Sequence, residues 1–186
     1  MMHLKNISAG NPRTTEQYQL TKKIGVIWLY SEDGKNWYEE QGKFLPDTLK
    51  AAYTNTGRVV WVGKDVSAIN PDGMSVIEMA DITANRQINA SGYWFYRDDK
   101  FIFDFTLTAE SERNILLSKV SSKTAEWEKD LLLGLISDED KEKLKAHRLY
   151  ANTLRNMNFQ HIIDKKSYNE ITWPEAPGSV PEVKKQ

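Results

Sequence analysis

The hydrophobic pattern of this chain changes period once, near Leu107, and that change restricts the fold to one with two differently built halves. Up to residue 106, short runs of β-branched and aromatic residues alternate with clusters of Gly, Asn and Asp, whereas beyond it apolar residues recur every three or four positions. Alternation sends successive side chains to opposite faces of a strand, and the longer spacing draws a stripe along a helix. Of the 20 Trp, Tyr and Phe residues, 15 fall in the first 106, as expected of half-buried strands.

Within the first half, Ile24 to Tyr30, the Asp33-Gly34 pair and Asn36 to Glu40 read as a hairpin, because Gly tolerates the positive φ that a tight turn needs. Thr48 to Tyr53, a turn at Asn55-Thr56-Gly57 and Arg58 to Gly63 read as a second one. Asn70-Pro71-Asp72-Gly73 marks a break before a strand at Met74 to Met79. Tyr93 to Tyr96, a turn at Asp98-Asp99 and Lys100 to Phe105 close the series, with Phe101, Phe103 and Phe105 on one face. The expectation is a small antiparallel β-meander over residues 1–106.

In the second half, Leu116, Val120, Thr124, Trp127 and Leu131 fall on one side of a helix, with Glu110 and Glu112 near its start and Gly134 at its end. Ser137 offers a cap to a second helix, whose first turn carries Asp138, Glu139 and Asp140 and whose stripe is Leu144, Arg148, Ala151 and Leu154. The short link favours an antiparallel helical hairpin over residues 107–158. Residues 159–186, with Trp173-Pro174 and Pro177, read as an extended, docked Pro-rich tail. The expected class is therefore α+β.

At 186 residues a folded chain hides roughly 70% of its unfolded surface, enough for one sizeable core or two small ones. Charge is balanced in both halves, 12 basic against 13 acidic residues before Leu107 and 13 of each after it, so no footprint for nucleic acid is present. The start MMHLKNISAGNPR lacks an apolar core of signal-peptide length, and no apolar run approaches ~18 residues; neither secretion nor membrane insertion is expected.

Cysteine is absent, which removes thiol catalysis and thiolate metal sites. His3, His147 and His161 form no i, i+4 pair, so no metal site is expected. Nucleotide-loop and nucleophile-elbow signatures are missing, and no cofactor is expected. Asp138 to Glu142 is followed by Lys143 where a calcium loop needs Gly. Glu39-Glu40 and Asp98-Asp99 are adjacent rather than held across a sugar, so they do not suit a glycosidase. No catalytic residue is assigned and no enzyme is expected. The binding candidates are large aromatics: Trp28, Trp37, Tyr38, Trp61 and Trp94 in the first half, and Trp173 with Pro174 in the tail. Core packing is the competing role for most of them.

Several strings in the chain resemble one family. His3-Leu4-Lys5-Asn6-Ile7, Glu16 to Lys22 (EQYQLTK), Trp28 to Glu40 (WLYSEDGKNWYEE), Asp81 to Arg86 (DITANR), Ser91-Gly92-Tyr93-Trp94 and Trp173-Pro174-Glu175-x-Pro177 are similar to segments of the bacteriophage and prophage tail fibre assembly proteins, or Tfa family. The resemblance spans essentially the whole chain. It departs at His147, where members usually carry Trp, and in the nine residues after Pro177.

The resemblance implies a chaperone that binds the C-terminal region of a cognate trimeric tail fibre. Such a protein works in the cytoplasm of the bacterial host, and some members stay on the fibre tip in the virion. Long intertwined chains must find their register before distant contacts form, leaving strand edges and apolar surface exposed meanwhile. The β half is expected to offer an open sheet edge or aromatic face to the fibre, and the helical half to stabilise the chain or form a homodimer. The alternative is a receptor-binding module in which Trp37, Tyr38 and Trp94 stack on host lipopolysaccharide sugars.

Overall fold

The structure is a computed structural model that describes residues 1–178. These residues divide into two compact units, one over Met1–Phe103 and one from Asp104 onward.

The first unit is built on a sheet of five strands: β1 (His3–Gly10), β2 (Trp28–Tyr30), β3 (Leu49–Thr54), β4 (Val59–Gly63) and β5 (Met74–Met79). All pairings are antiparallel, in the order β2-β1-β5-β3-β4. The α+β class and the antiparallel sheet agree with the sequence, but the strand order is not that of a meander. β1 inserts between β2 and β5, pairing Gly10 with Trp28 on one side and Leu4 with Val76 on the other. Its alternation is hard to read because the register shifts between Leu4 and Ile7, where Asn6 takes a φ of 48°. The last hairpin, β6 (Trp94–Arg97) and β7 (Lys100–Phe103), forms a separate two-stranded sheet turned by Asp98 and Asp99 at positive φ.

The expected first hairpin is also corrected. Ile24 ends a helix, α1 (Thr15–Ile24), capped by the Thr14 side chain at its start and by Gly25 at its end. Residues Trp37–Glu40 form a single helical turn, α2, rather than a strand, because the Asn36 side chain accepts from the Tyr38 N–H and caps it. One bridge, Tyr30 to Asn36, is all that remains of the hairpin.

Both faces of the main sheet are covered. Leu4, Ile7, Leu29, Trp37, Phe44, Ala52, Val66 and Val76 form one cluster, and Ala51, Tyr53, Val59, Met79 and Ile88 form another. Adjacent residues Ala51 and Ala52 are thus buried in different clusters, which is why β3 reads as an unbroken buried run rather than an alternating one.

The second unit holds α3 (Phe105–Leu133), α4 (Asp138–Arg155) and α5 (Lys165–Asn169). Phe105 belongs to α3 and not to the preceding strand, because the Asp104 carboxylate accepts from the Leu107 N–H and caps the helix there; only Phe101 and Phe103 remain as strand rings. Glu110 and Glu112 accordingly lie beyond the first turn. Gly134 ends α3 in the left-handed conformation, and Ser137 caps α4 as its sequence suggests.

Val120, Tyr150, Ala151 and Leu154 form the core between α3 and α4, with Leu116 packed against it. Of the predicted α3 stripe, Val120 and Thr124 are buried, Leu116 and Trp127 are half-buried, and Leu131 is exposed. The segment from 159 is not uniformly extended: Phe159 and Ile162 are buried, and an Asp164–Ser167 capping box starts α5. Ile171 to Gly178 has no helix or strand, and the rest of the expected Pro-rich tail, 179–186, lies outside the described residues.

Candidate functional site

β4 is a terminal strand of the five-stranded sheet. Its start is covered, since Arg58 bridges Phe95 and the Tyr96 N–H donates to the Gly57 carbonyl at 2.7 Å. Trp61 to Gly63 pair with β3 on one side and with no strand on the other among the described residues. The register also shifts between Ala52 and Tyr53, leaving Val60 outside the ladder and exposed. Edge strands are usually blunted by Lys or Pro, yet β4 reads Val-Val-Trp-Val-Gly. The half-buried Trp61 lies over Gly63, where even a Cβ would come within 2.5 Å of the indole.

The other aromatics occupy varied positions. Trp37 is 1% exposed and packs edge-on to Phe44. Trp28 is buried, with its Nε1–H donating to the Thr21 hydroxyl at 2.8 Å. Tyr38 is exposed, stands edge-on to Trp28 and donates its hydroxyl to the Ile27 carbonyl, and Ile27 is exposed as well. Trp94 is half-buried against Phe103. Stacking on a sugar requires an open ring face, and Trp37 has none.

Trp173 and Pro174, both half-buried, line a groove with Leu116 and Tyr150, and Trp173 packs on Phe159. His147 is buried edge-on to Trp127, with Nδ1 2.8 Å from the Lys143 carbonyl. The imidazole thus fills part of an aromatic contact at the position where the resemblance calls for Trp.

A polar clamp that the sequence pattern did not single out closes the first unit. Lys50 is 1% exposed, and its Nζ donates to the carbonyls of Leu45, Thr48 and Lys64. The buried Glu78 carboxylate accepts from the Met2 N–H, the Leu45 N–H and the Thr48 hydroxyl. Burial pushes the Glu78 carboxyl up, but these donors and the Lys50 charge outweigh it and hold the group below its ordinary value. A Lys within a strand and a Glu that follows Ile carry no sequence signal that they face inward.

Nearby, His3 Nε2 lies 2.6 Å from the Tyr53 hydroxyl. Burial lowers the His3 pKa, and burial together with a bond to Asp99 pushes Tyr96 to about 12. Asp81 is drawn down to about 2 by Arg86 and Lys64. His3, Tyr53, Tyr96 and Asp99 contact one another, and Asp81 pairs with Arg86 and Lys64. No group of three or more metal-binding side chains occurs among the described residues, and none of their helices is long and apolar enough to cross a membrane.

At the far end of the α3–α4 hairpin, Leu131, Leu132, Leu133 and Leu135 are 45%, 87%, 70% and 72% exposed. Leu131 and Leu132 border an open groove of about 520 Å³ floored by Leu144, with Glu128 on the α3 side and Lys141, Lys145 and Arg148 on the α4 side.

An antiparallel sheet unit whose terminal strand β4 is apolar is thus followed in sequence by an apolar-tipped helical hairpin. The family model described as "Caudovirales tail fibre assembly protein, lambda gpK" matches residues 39–178, and the chain belongs to this family. It is 48% identical to tail fiber assembly protein U′ of Escherichia phage Mu and 47% identical to the protein of the same name in Escherichia phage P1, in each case over 184 residues that cover 95% of this chain and 99% of the relative. The probable tail fiber assembly protein of Escherichia phage P2 is 39% identical over 183 residues, with the same coverage. The chain's role is tail fibre assembly.

Proposed function

We propose that this protein is a chaperone that binds the C-terminal region of its cognate trimeric tail fibre in the cytoplasm of the bacterial host and promotes folding and trimerisation. The observation that carries this reading is the free outer edge of β4 at Val60–Gly63, an apolar strand without Lys or Pro. Such an edge supplies unpaired backbone donors and acceptors to an incoming strand, and an unfinished fibre tip presents strands in need of partners. Pairing holds fibre ends together without covalent chemistry.

Coexpression of the fibre's C-terminal region with and without this chain tests the proposal. Soluble trimer is expected only with it, and equal trimer yield in both cases overturns the chaperone role. Val60→Lys places a charge on the exposed edge without touching the core and is expected to cut trimer yield by about tenfold or more. An unchanged yield would remove the edge from the mechanism.

A further inference from the structure

We infer that Arg58 and Arg97 form a carboxylate-binding pair at the closed end of the β4 edge, and that the pair takes the C-terminal carboxylate of the incoming fibre strand. The inference rests on the β4-edge reading above. Both arginines are exposed and lean on the buried Phe95 ring, with their Cζ atoms 5.6 Å and 4.3 Å from its centroid. Gly57 lets the Arg97 stem come close to the start of β4, since a Cβ there would lie 3.3 Å from Arg97 Cγ. Of the acids in the following turn, Asp99 accepts from the Tyr96 hydroxyl at 3.1 Å and Asp98 takes a positive φ. Neither Arg58 nor Arg97 makes an ion pair among the described residues. Two unpaired guanidiniums seated on one ring offer the forked N–H donors that recognise a carboxylate.

Strand direction decides which carboxylate arrives. Every pairing in the five-stranded sheet is antiparallel, so a strand added to β4 in the same sense runs from Gly63 toward Val60. It cannot continue along the ladder, because β6 already occupies the next place: Phe95 bridges Arg58, and the Tyr96 N–H donates to the Gly57 carbonyl. A strand that stops there leaves its C-terminus about two residues, or roughly 7 Å, from Arg58, within the span of an arginine side chain. An acidic side chain at the strand's other end would meet Lys64 instead, and Asp81 already engages that ammonium at 2.8 Å.

The test measures binding of the full chain to the fibre's C-terminal fragment with its native end and with the end extended by Gly-Ser-Gly. Extension moves the carboxylate past β4 and should raise the dissociation constant roughly tenfold or more. Arg58→Gln combined with Arg97→Gln should weaken binding of the native end by a similar factor and leave the extended end nearly unaffected, a coupling that general loosening of the fold would not produce. Both side chains are exposed, so circular dichroism should be kept. Equal binding of the two ends by the wild-type chain overturns the inference, and if the double variant then loses both, the pair takes a side-chain carboxylate instead. A double variant that binds the native end like wild type also overturns it. Val60→Lys separates this inference from the reading it rests on. If that variant loses both fragments while the wild-type chain binds both alike, the edge stands and the carboxylate site alone fails; a wild-type chain that binds neither fragment overturns both.

Discussion

The two units solve the same burial problem in opposite ways. The sheet unit ties together residues far apart in sequence: the Met2 N–H bonds to Glu78, 76 positions away, and β1 lies between two strands that follow it. The second unit is built chiefly on consecutive elements, with α3 returning as α4 through the short link after Gly134. The first encloses Trp37 at 1% exposure, whereas the second leaves Trp127 half-buried and its end leucines in water. An exposed apolar residue therefore carries different information in each. In the first unit it marks an edge of a finished core. In the second it marks a helix pair whose apolar surface exceeds what two helices can cover.

The largest expected effect tests how complete the first core is. Trp37→Ala removes a ring enclosed by Phe44 and its cluster, and should destabilise the first unit by about 3–5 kcal/mol in chemical denaturation. A loss below about 1 kcal/mol would mean that the sheet unit tolerates cavities as loosely as the hairpin does.

Next comes the polar clamp. Glu78→Gln removes the charge near Lys50 and offers an amide N–H where a carboxylate oxygen now accepts, and should cost about 1–3 kcal/mol. Because the folded carboxyl is held below its unfolded value, its stabilisation is present above the ordinary carboxylate range and is lost as pH falls through the lowered folded pKa. Acid titration of the first unit's stability should therefore be shallower in Glu78→Gln than in wild type.

Trp127→Ala sharpens the contrast from the other side. A fully buried ring at this position would cost as much as Trp37, but half-burial and a single edge contact with His147 reduce the expected loss to about 1–2 kcal/mol. A loss equal to that of Trp37→Ala in the same denaturation experiment would show that the hairpin core is as closed as the sheet core.

Legibility in the sequence follows the same division. The second hairpin, the strand at Met74–Met79, the Asp98-Asp99 turn, the Gly134 stop and the Ser137 cap are local signals, and each sits where its residues indicate. Strand β1 was hidden because its bulge at Asn6 breaks the alternation and its partners lie far along the chain. The Asn36 cap was hidden because Trp-Tyr-Glu-Glu is as strand-like as it is helical, and only a side-chain bond to the Tyr38 N–H decides. At the candidate site, Trp61 and Tyr38 could be named from composition, yet burial separates them from Trp28 and Trp37. The free β4 edge depends on strand order, which no local pattern carries. The exposure of Leu131 to Leu135 depends on α4 being too polar near its start, with Asp138 to Lys143, to cover them.

The smallest expected effect concerns His3, a half-buried side chain at the start of β1. Its ring touches Tyr53 and Tyr96, and Nε2 lies on the Tyr53 hydroxyl. Burial and the Lys5 charge lower its pKa, while Asp99 and Glu32 oppose them more weakly. The unfolded chain therefore takes up a proton first as pH falls from about 6.5. Stability of the first unit should decline from there, through the lowered folded pKa, and level off once both states are protonated. His3→Phe keeps a ring against Tyr53 and Tyr96 and removes the titration, so the mild-acid step should disappear while the Glu78 step at lower pH remains. If that step persists in His3→Phe, another group accounts for it, and β1 is held at its start by packing rather than by a neutral imidazole.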